Sequence, residues 1–485
     1  MLQRTLAFLF LCIPPYVFFS VGLLSWERFT GREDFSSLLA GYGVMGSLVL
    51  LVYLFHKRIW LLLVKLRIAL EPIESFKALL IIIVIGIAVR MLWVFLFPAI
   101  PTSDEKTYIE LASKLAKGDE YYIAGTYSYW PPGYPLFLSV IFRLFGSSGA
   151  TIFWMNIIFY LCGTLIIYTF VRHLTTHVEA MVAIALLAVW PAYFTLTGFP
   201  SKEGLLIFLV PLALLMYIKS SQTNHLLNST SLALGSGIAF GAASMIQPSL
   251  QLLLLAPIVG SVITNVNLRV ILRGSVFLVI GMLLVILPWT IRNYSIHGQF
   301  VFISTNGGGG LYMANNDYAT GSYDSQSRLI MKLKQFDDLG ELESNRAGFH
   351  EGVQWIKENP DRFLTLAVRK HLLFLGDDAG GVYGTLKRGL NISDWRYPLL
   401  KMVANFFWVS VWALMLIALL RKDALIILND LGPTILILSG FYLLAIHSIF
   451  ESASKYHLPL LGVYAILFSI LAFTPEREGV KGSIL

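Results

Sequence analysis

The run ALLIIIVIGIAVRMLWVFLF at residues 78–97, followed by PAIPTSDEKTY at 98–108, decides how the chain is read. The run matches a hydrocarbon core about 30 Å thick, which takes about 20 apolar residues at about 1.5 Å of rise each. It predicts a membrane-crossing helix. Arg90 lies deep inside it, where an unpaired charge costs roughly 2.5–3.5 kcal/mol on insertion scales. Arg90 should therefore face neighbouring helices, with a carboxylate as one candidate partner. Just beyond the run, Asp104 and Glu105 put two carboxylates at the expected membrane boundary.

Comparable runs, of the required length or nearly so, lie at 4–25, 36–55, 150–171, 178–197, 203–219, 230–247, 249–264, 274–291, 398–420, 431–450 and 457–473, giving about twelve spans. The break between 230–247 and 249–264 rests on Gln247-Pro248 alone. Composition agrees. Of 485 residues, 56% are apolar and 13% charged, against roughly 25% charged in soluble proteins. Mean hydropathy is +0.70. These values exclude a soluble enzyme, a disordered tail protein and a nucleic-acid binder. Cys12 and Cys162 both sit in apolar runs, which excludes a disulfide framework.

The net charge of +7 lies largely in short loops, as the positive-inside rule requires. Arg4, then Lys57, Arg58, Lys65, Arg67 and Lys77, then Arg172, Lys219, Arg269, Arg273, Arg421, Lys422, Arg477 and Lys481 mark one side as cytoplasmic. Both termini fall on that side, and two long loops, 98–149 and 292–397, fall outside. Residues 56–77 intersperse basic residues among Leu, Ile and Trp60, which predicts an amphipathic helix lying on the inner leaflet. The expected organisation is an N-terminal hairpin with this helix (1–77), a main module (78–473) and a short cytoplasmic tail (474–485).

Both loops carry helical patterns. Tyr108, Leu111, Ala112 and Leu115 predict a helix over 104–117, ended by Gly118. A short apolar helix at the membrane surface is expected over 135–145. In the second loop, 341–358 and 360–375 read as helices separated by Asn359-Pro360, with Pro suited to a first helical turn. Gly307 to Gly310 fit either a flexible turn or a backbone that approaches a ligand closely. HExxH, CxxC, GxSxG and Walker A motifs are absent.

The chemistry centres on Asp104-Glu105 and the turn Tyr127, Tyr129, Trp130, Pro131, Pro132, Gly133, Tyr134, Pro135. Aromatic rings beside a carboxylate suit a sugar, whose apolar faces stack while its hydroxyls need acceptors. An interfacial aromatic belt explains the tyrosines nearly as well, though not the double proline. His447 and His457 read as structural, Asp377-Asp378 as a solvated helix terminus, and the sequons at Asn228, Asn293 and Asn391 as uninformative.

The chain resembles the GT-C membrane glycosyltransferases, in the bacterial branch of protein O-mannosyltransferases and lipid A aminoarabinose transferases. The resemblance runs over about 78–473. It rests on Arg90, Asp104-Glu105, Tyr108, Ala112, Gly118, Pro131-Pro132-Gly133-Tyr134-Pro135 and Phe145-Gly146. It continues through Pro200-Ser201-Lys202-Glu203, Pro288-Trp289, Arg292-Asn293, Asn306, Gly310-Leu311, Asn315-Asn316, Trp355-Ile356, Asn359-Pro360, Lys370, and Lys455-Tyr456 with Leu458-Pro459. Relatives more often show Arg at the Lys455 turn. The resemblance implies an all-α polytopic bundle whose two outer loops bear juxtamembrane helices. It also implies transfer of a hexosyl or pentosyl group, with inversion, from a polyprenyl-phosphate carrier to an envelope acceptor (lipid, glycan or protein) on the outer face of a bacterial or archaeal plasma membrane.

By the same resemblance, Asp104 is the general base and Glu105 orients it or binds a sugar hydroxyl. Lys202, Arg292, Lys370 and Lys455 are candidates for the donor phosphate. Tyr108, Tyr129, Trp130, Tyr134, Glu203, Asn306 and Asn316 are candidates for sugar or acceptor. With no DxD pair, a divalent metal is not implied, and the lipid-linked sugar is the only small partner expected. No large C-terminal domain is expected after the last span. Neither the sugar, the acceptor nor the oligomeric state can be read. Two other classes remain open: a lipid-linked glycan flippase or transporter, and an O-antigen ligase or polymerase. The first predicts short outer loops and broken helices at mid-membrane; the second predicts arginine-rich loops for a diphosphate donor.

Overall fold

A computed structural model describes residues 2–323, 325–334, 336–386 and 395–476. Arg477, Lys481, most of the 474–485 tail and the sequon at Asn391 lie outside the described residues. The described residues are helical, and ten helices are long and apolar enough to cross a membrane. An eleventh candidate is the pair His177–Val189 and Pro191–Gly198, bent by 55°. Pro191 causes the bend: it lacks an N–H and keeps Trp190 extended, at φ −67° and ψ 114°. The run 249–264 is a shorter apolar helix within Pro248–Ile263.

Contacts between the loops show how these pieces add up. The Thr305 amide donates to the Ser128 carbonyl at 2.9 Å, and Arg292 Nη1 donates to the Tyr127 carbonyl at 2.7 Å. Both loops therefore lie at one end of the bundle, and an even number of crossings must separate them. The bent pair is one crossing. Its start, His177, meets the Glu71 carbonyl at 3.1 Å, whereas Lys202 just past its end lies within electrostatic reach of Asp104. The helix Pro248–Ile263 must then cross as well, in about 24 Å at 1.5 Å per residue. Ten long helices, the bent pair and this short helix make twelve crossings among the described residues.

The expected separate helix over 56–77 is instead the continuation of a span. Phe35–Leu70 runs unbroken for 36 residues, about 54 Å, because neither Gly nor Pro occurs between Phe55 and Leu70. Its far end is fastened to the bundle. Arg67 Nε donates to the Phe473 carbonyl at 2.7 Å, and the Arg421 guanidinium covers Trp60 at 4.9 Å.

Arg90 is buried as expected but, among the described residues, has no carboxylate partner. Its Nη1 donates to the Gly86 and Ala188 carbonyls at 3.0 and 2.9 Å, and its guanidinium lies over the Tyr160 and Tyr193 rings at 3.8 and 4.6 Å. Carbonyls and ring faces supply negative potential without the cost of burying a second charge.

Leu226–Ile246 crosses Leu268–His297 at backbone contact. A Cβ on Gly237 would lie 1.9 Å from the Leu278 carbonyl oxygen, and one on Gly281 would lie 2.1 Å from that of Leu234. Small residues at such crossings let helices pack without side chains between them. In the two long loops, Asp104–Lys117, Gly133–Phe145, Glu341–Glu358 and Pro360–Leu375 are helices. The glycine run is neither a flexible turn nor shown as a ligand cradle. It begins the helix Gly307–Ala314, and a Cβ on Gly308 would lie 1.9 Å from the Asn345 carbonyl oxygen, so Gly308 serves close packing on Glu341–Glu358, whereas a Cβ on Gly310 would meet nothing within 4 Å.

Candidate active site

Asp104 and Glu105 open their helix, where unpaired amides favour carboxylates. Ser103 turns the chain into it at φ 53° and donates from Oγ to Asp104 Oδ1 at 3.3 Å. Asp104 Oδ2 lies 3.6 Å from Lys455 Nζ, and both side chains are about one-third exposed. Lys455 belongs to the 3-10 segment Ser454–Leu460, which leads into the last span. Lys202 and Glu203 start the span Lys202–Gln222 at the same end, and Ser201 Oγ donates to Glu203 Oε2 at 2.7 Å.

Tyr108 ties the group together. Burial pushes its phenol well above the usual range, and Asp104, Glu203 and Glu105 add to the effect. Three carboxylates from two separate elements therefore lie within electrostatic reach of one phenol. Glu451, absent from the sequence reading, joins them: it accepts from Tyr456 Oη and lies within electrostatic reach of Lys202. Nothing local in the sequence marks it. Tyr108 packs edge-on to Trp130 and Tyr134, with centroids 6.0 and 5.4 Å apart. Tyr108 and Tyr134 are buried and form the wall beneath the carboxylates. Half-buried Trp130 and exposed Tyr129 are the rings left to meet a ligand. Among the described residues, no three His, Cys, Asp or Glu side chains are grouped to hold a metal ion.

The other expected contacts lie elsewhere. Arg292 joins the loops: Nη1 reaches the Tyr127 carbonyl, Ser128 Oγ and Asn293 Oδ1, and Nη2 donates to the Tyr121 carbonyl at 3.0 Å. Its guanidinium covers Trp289 at 4.5 Å, and Glu341 and Glu120 lie within electrostatic reach of it. Glu341 completes this clasp by accepting from the Tyr127 and Ser128 amides at 2.7 and 2.8 Å. Arg292→Ala should thus cost about 2–4 kcal/mol of stability, since a charged hydrogen bond contributes roughly 1.5–3 kcal/mol and several do not simply add. Arg292→Lys should not restore it, because a point charge cannot reproduce the fork. Unfolding of the detergent-solubilised variants would read this. Normal melting combined with weak donor binding would return Arg292 to the phosphate.

Lys370 is fully buried, and its Nζ donates to Asn315 Oδ1 and to the Ser448 and Ile449 carbonyls at 3.0, 3.2 and 3.0 Å. Those carbonyls end the helix Leu431–Ile449, so Lys370 caps its negative end. Burial pushes the amine's pKa down. With its three donors engaged, it has none left for a phosphate. Asn316 is also structural: Nδ2 donates to the Tyr312 carbonyl at 2.9 Å, and Oδ1 accepts from the Tyr318 amide at 2.8 Å. Asn306 accepts from Ser304 Oγ at 2.8 Å and precedes the helix Gly307–Ala314.

Asp377 and Asp378 are buried rather than solvated. Asp377 pairs with Arg28 at 2.8 Å and with Lys401, joining the N-terminal hairpin to the module. Asp378 Oδ1 lies 2.8 Å from His457 Nε2, and Oδ2 accepts from Trp190 Nε1 at 2.7 Å. Burial pushes the Asp378 carboxyl above the usual range, while its hydrogen bonds oppose that shift.

Residues 130–291 match the family model of dolichyl-phosphate-mannose-protein mannosyltransferases. No curated protein matches the chain. Among solved structures, the archaeal oligosaccharyltransferase AglB from Archaeoglobus fulgidus, in complex with an inhibitory peptide and a dolichol-phosphate, has a TM-score of 0.51. It is 14% identical, with 82% of this chain and 50% of that chain covered. The Archaeoglobus fulgidus oligosaccharyltransferase in complex with Zn and sulfate gives 0.50 at 14% identity, over 81% and 48%. ArnT from Cupriavidus metallidurans, bound to undecaprenyl phosphate, gives 0.43 at 13% identity, over 82% and 78%. The chain spans about half the length of the two oligosaccharyltransferases. Its fold is that of the GT-C membrane glycosyltransferases. Within that fold, the stretch from Trp130 to Ile291 carries the protein-mannosyltransferase likeness.

Proposed function

We propose that the chain transfers a sugar from a polyprenyl-phosphate carrier to an envelope acceptor on the outer face of a plasma membrane, with inversion. The observation that carries this reading is a partly exposed carboxylate, Asp104, lying 3.6 Å from Lys455 in one cluster with Lys202 and Glu203. Asp104 takes the acceptor hydroxyl proton as that oxygen bonds to the anomeric carbon. The bond from that carbon to the phosphate oxygen breaks, and the phosphate leaves with the electron pair. Lys455 and Lys202 take up its charge; fixed cations do this better than mobile water. Glu203 and Glu105 offer acceptors to sugar hydroxyls, and Trp130 and Tyr129 offer ring faces. The family match over 130–291 and the GT-C fold support the reading.

Loss of the protein should cause one polyprenyl-phosphate sugar to accumulate, and mass spectrometry of the lipid extract would identify it. An unchanged lipid pool would argue against this donor class. Sidedness has its own test. Single cysteines at the exposed positions Gly125 and Asp338 should react with an impermeant reagent in intact cells, and one at Asn224 should not. Labelling at Asn224 before lysis would put the cluster on the cytoplasmic face.

A further inference from the structure

We propose that Asp378 and His457 form a buried positioning pair that fixes Lys455 against Asp104. The proposal rests on the glycosyltransferase reading for its kinetic consequence, but not for its geometry. His457 is two residues beyond Lys455, in the same 3-10 segment, and both it and Asp378 are 0% exposed. Neither side chain reaches the open side of the cluster, so the pair acts through Lys455.

The imidazole is held from every side. Its Nδ1 lies 2.6 Å from the Phe374 carbonyl, which can only accept, so Nδ1 carries a hydrogen. Its Nε2 lies 2.8 Å from Asp378 Oδ1, so a second proton sits between ring and carboxyl, on one atom or the other. Trp190 Nε1 holds the other carboxyl oxygen at 2.7 Å, and the Asp378 amide donates to Asn405 Oδ1 at 2.8 Å. Trp408 stacks on the imidazole with centroids 4.9 Å apart and planes 10° apart, and its own Nε1 donates to the Leu375 carbonyl at 2.7 Å.

The chain beyond Asp378 reaches the backbone of Lys455 itself. A Cβ on Gly380 would lie 3.3 Å from Ser454 Oγ and 3.7 Å from the Lys455 amide nitrogen. The segment carrying Lys455 is thus clamped at His457 and backed at Ser454. Filling a core would not require this arrangement. A buried carboxylate and imidazole are expensive to desolvate, and an apolar pair of similar volume would pack as well. What the pair adds is a fixed orientation for the residue two positions away.

The experiment starts from the full chain in nanodiscs, with lysines ¹³C-methylated and the Lys455 resonance assigned by its loss in Lys455→Arg. Asp104→Asn supplies the shift of Lys455 without its carboxylate. His457→Gln and Asp378→Asn, both near-isosteric, should each move the Lys455 resonance toward that shift. In transfer assays His457→Gln should lower kcat by about 10- to 100-fold with little change in donor KM, as misplacement of a catalytic group does. Combined with Lys455→Ala, it should cause no further loss, because both changes remove the same interaction. An unmoved resonance, or losses that multiply, would overturn the proposal. Unfolding of both variants would also overturn it, by making the pair a core support and nothing more. Absence of transfer by the unaltered protein would sink the glycosyltransferase reading while leaving the resonance test standing.

Discussion

Asp104→Asn is expected to lower single-turnover transfer by about 10²–10⁴-fold, the usual contribution of a positioned base, while leaving donor binding largely intact. The amide keeps the size of the carboxylate and can still accept from Ser103 Oγ, but it cannot take a proton at neutral pH. Glu105→Gln should be milder. The two residues are adjacent on one helix and point about 100° apart, so they cannot both face the same acceptor oxygen. The assay needs purified variants that elute and melt like the parent. Near-normal transfer by Asp104→Asn with an inactive Glu105→Gln would move the base by one residue. Activity in both would remove this helix from the chemistry.

The second large effect is on folding. Gly237→Leu and Gly281→Leu should each prevent recovery of folded protein from the membrane, or lower its melting temperature drastically. The added atoms would sit 1.9 and 2.1 Å from backbone carbonyl oxygens, and no rotamer change can move a helix backbone aside. Overpacking in a tight core typically costs about 1–3 kcal/mol, and occasionally more. Here two helices must separate, so the upper end or beyond is expected. Gly43→Leu, with no atom within 4 Å of its Cβ, is the control and should be neutral. Equal yields from all three variants would mean that the crossing is looser than described.

Much of this molecule could be read from the chain because its signals are local. The helices Asp104–Lys117, Glu341–Glu358 and Pro360–Leu375 follow from periodicity punctuated by Gly118 and Asn359-Pro360. Asp104, Glu105, Lys202, Glu203 and Lys455 stood out as charges at span boundaries, and the fold gathers them at one end. What escaped reading depends on distant partners. Arg292 was indistinguishable from any other boundary cation, because two of the groups that satisfy it are backbone carbonyls 165 and 171 positions away, which a sequence does not display. Asp377-Asp378, between Gly376 and Gly380-Gly381, looked like a hydrated turn. The groups that bury Asp378, Trp190 and His457, lie 188 and 79 positions away. The helix Phe35–Leu70 erred differently: its basic residues suggested a change of environment, but nothing in the backbone chemistry stops a helix there.

The way Arg90 is satisfied has a consequence for how the chain is made. Its helix, Ser75–Leu96, leaves the ribosome well before its partners, because the Ala188 carbonyl lies 98 residues further on and the Tyr160 and Tyr193 rings are not yet synthesised. At about 5–20 residues per second, the guanidinium waits roughly 5–20 seconds without its final ligands. Throughout that interval Arg90 costs the helix roughly 2.5–3.5 kcal/mol, a cost its other side chains offset, since the mean hydropathy of its span is 2.8. The helix can therefore enter the bilayer on its own, and the cost of Arg90 is removed only when Gly149–Leu174 and the bent pair arrive and pack against it.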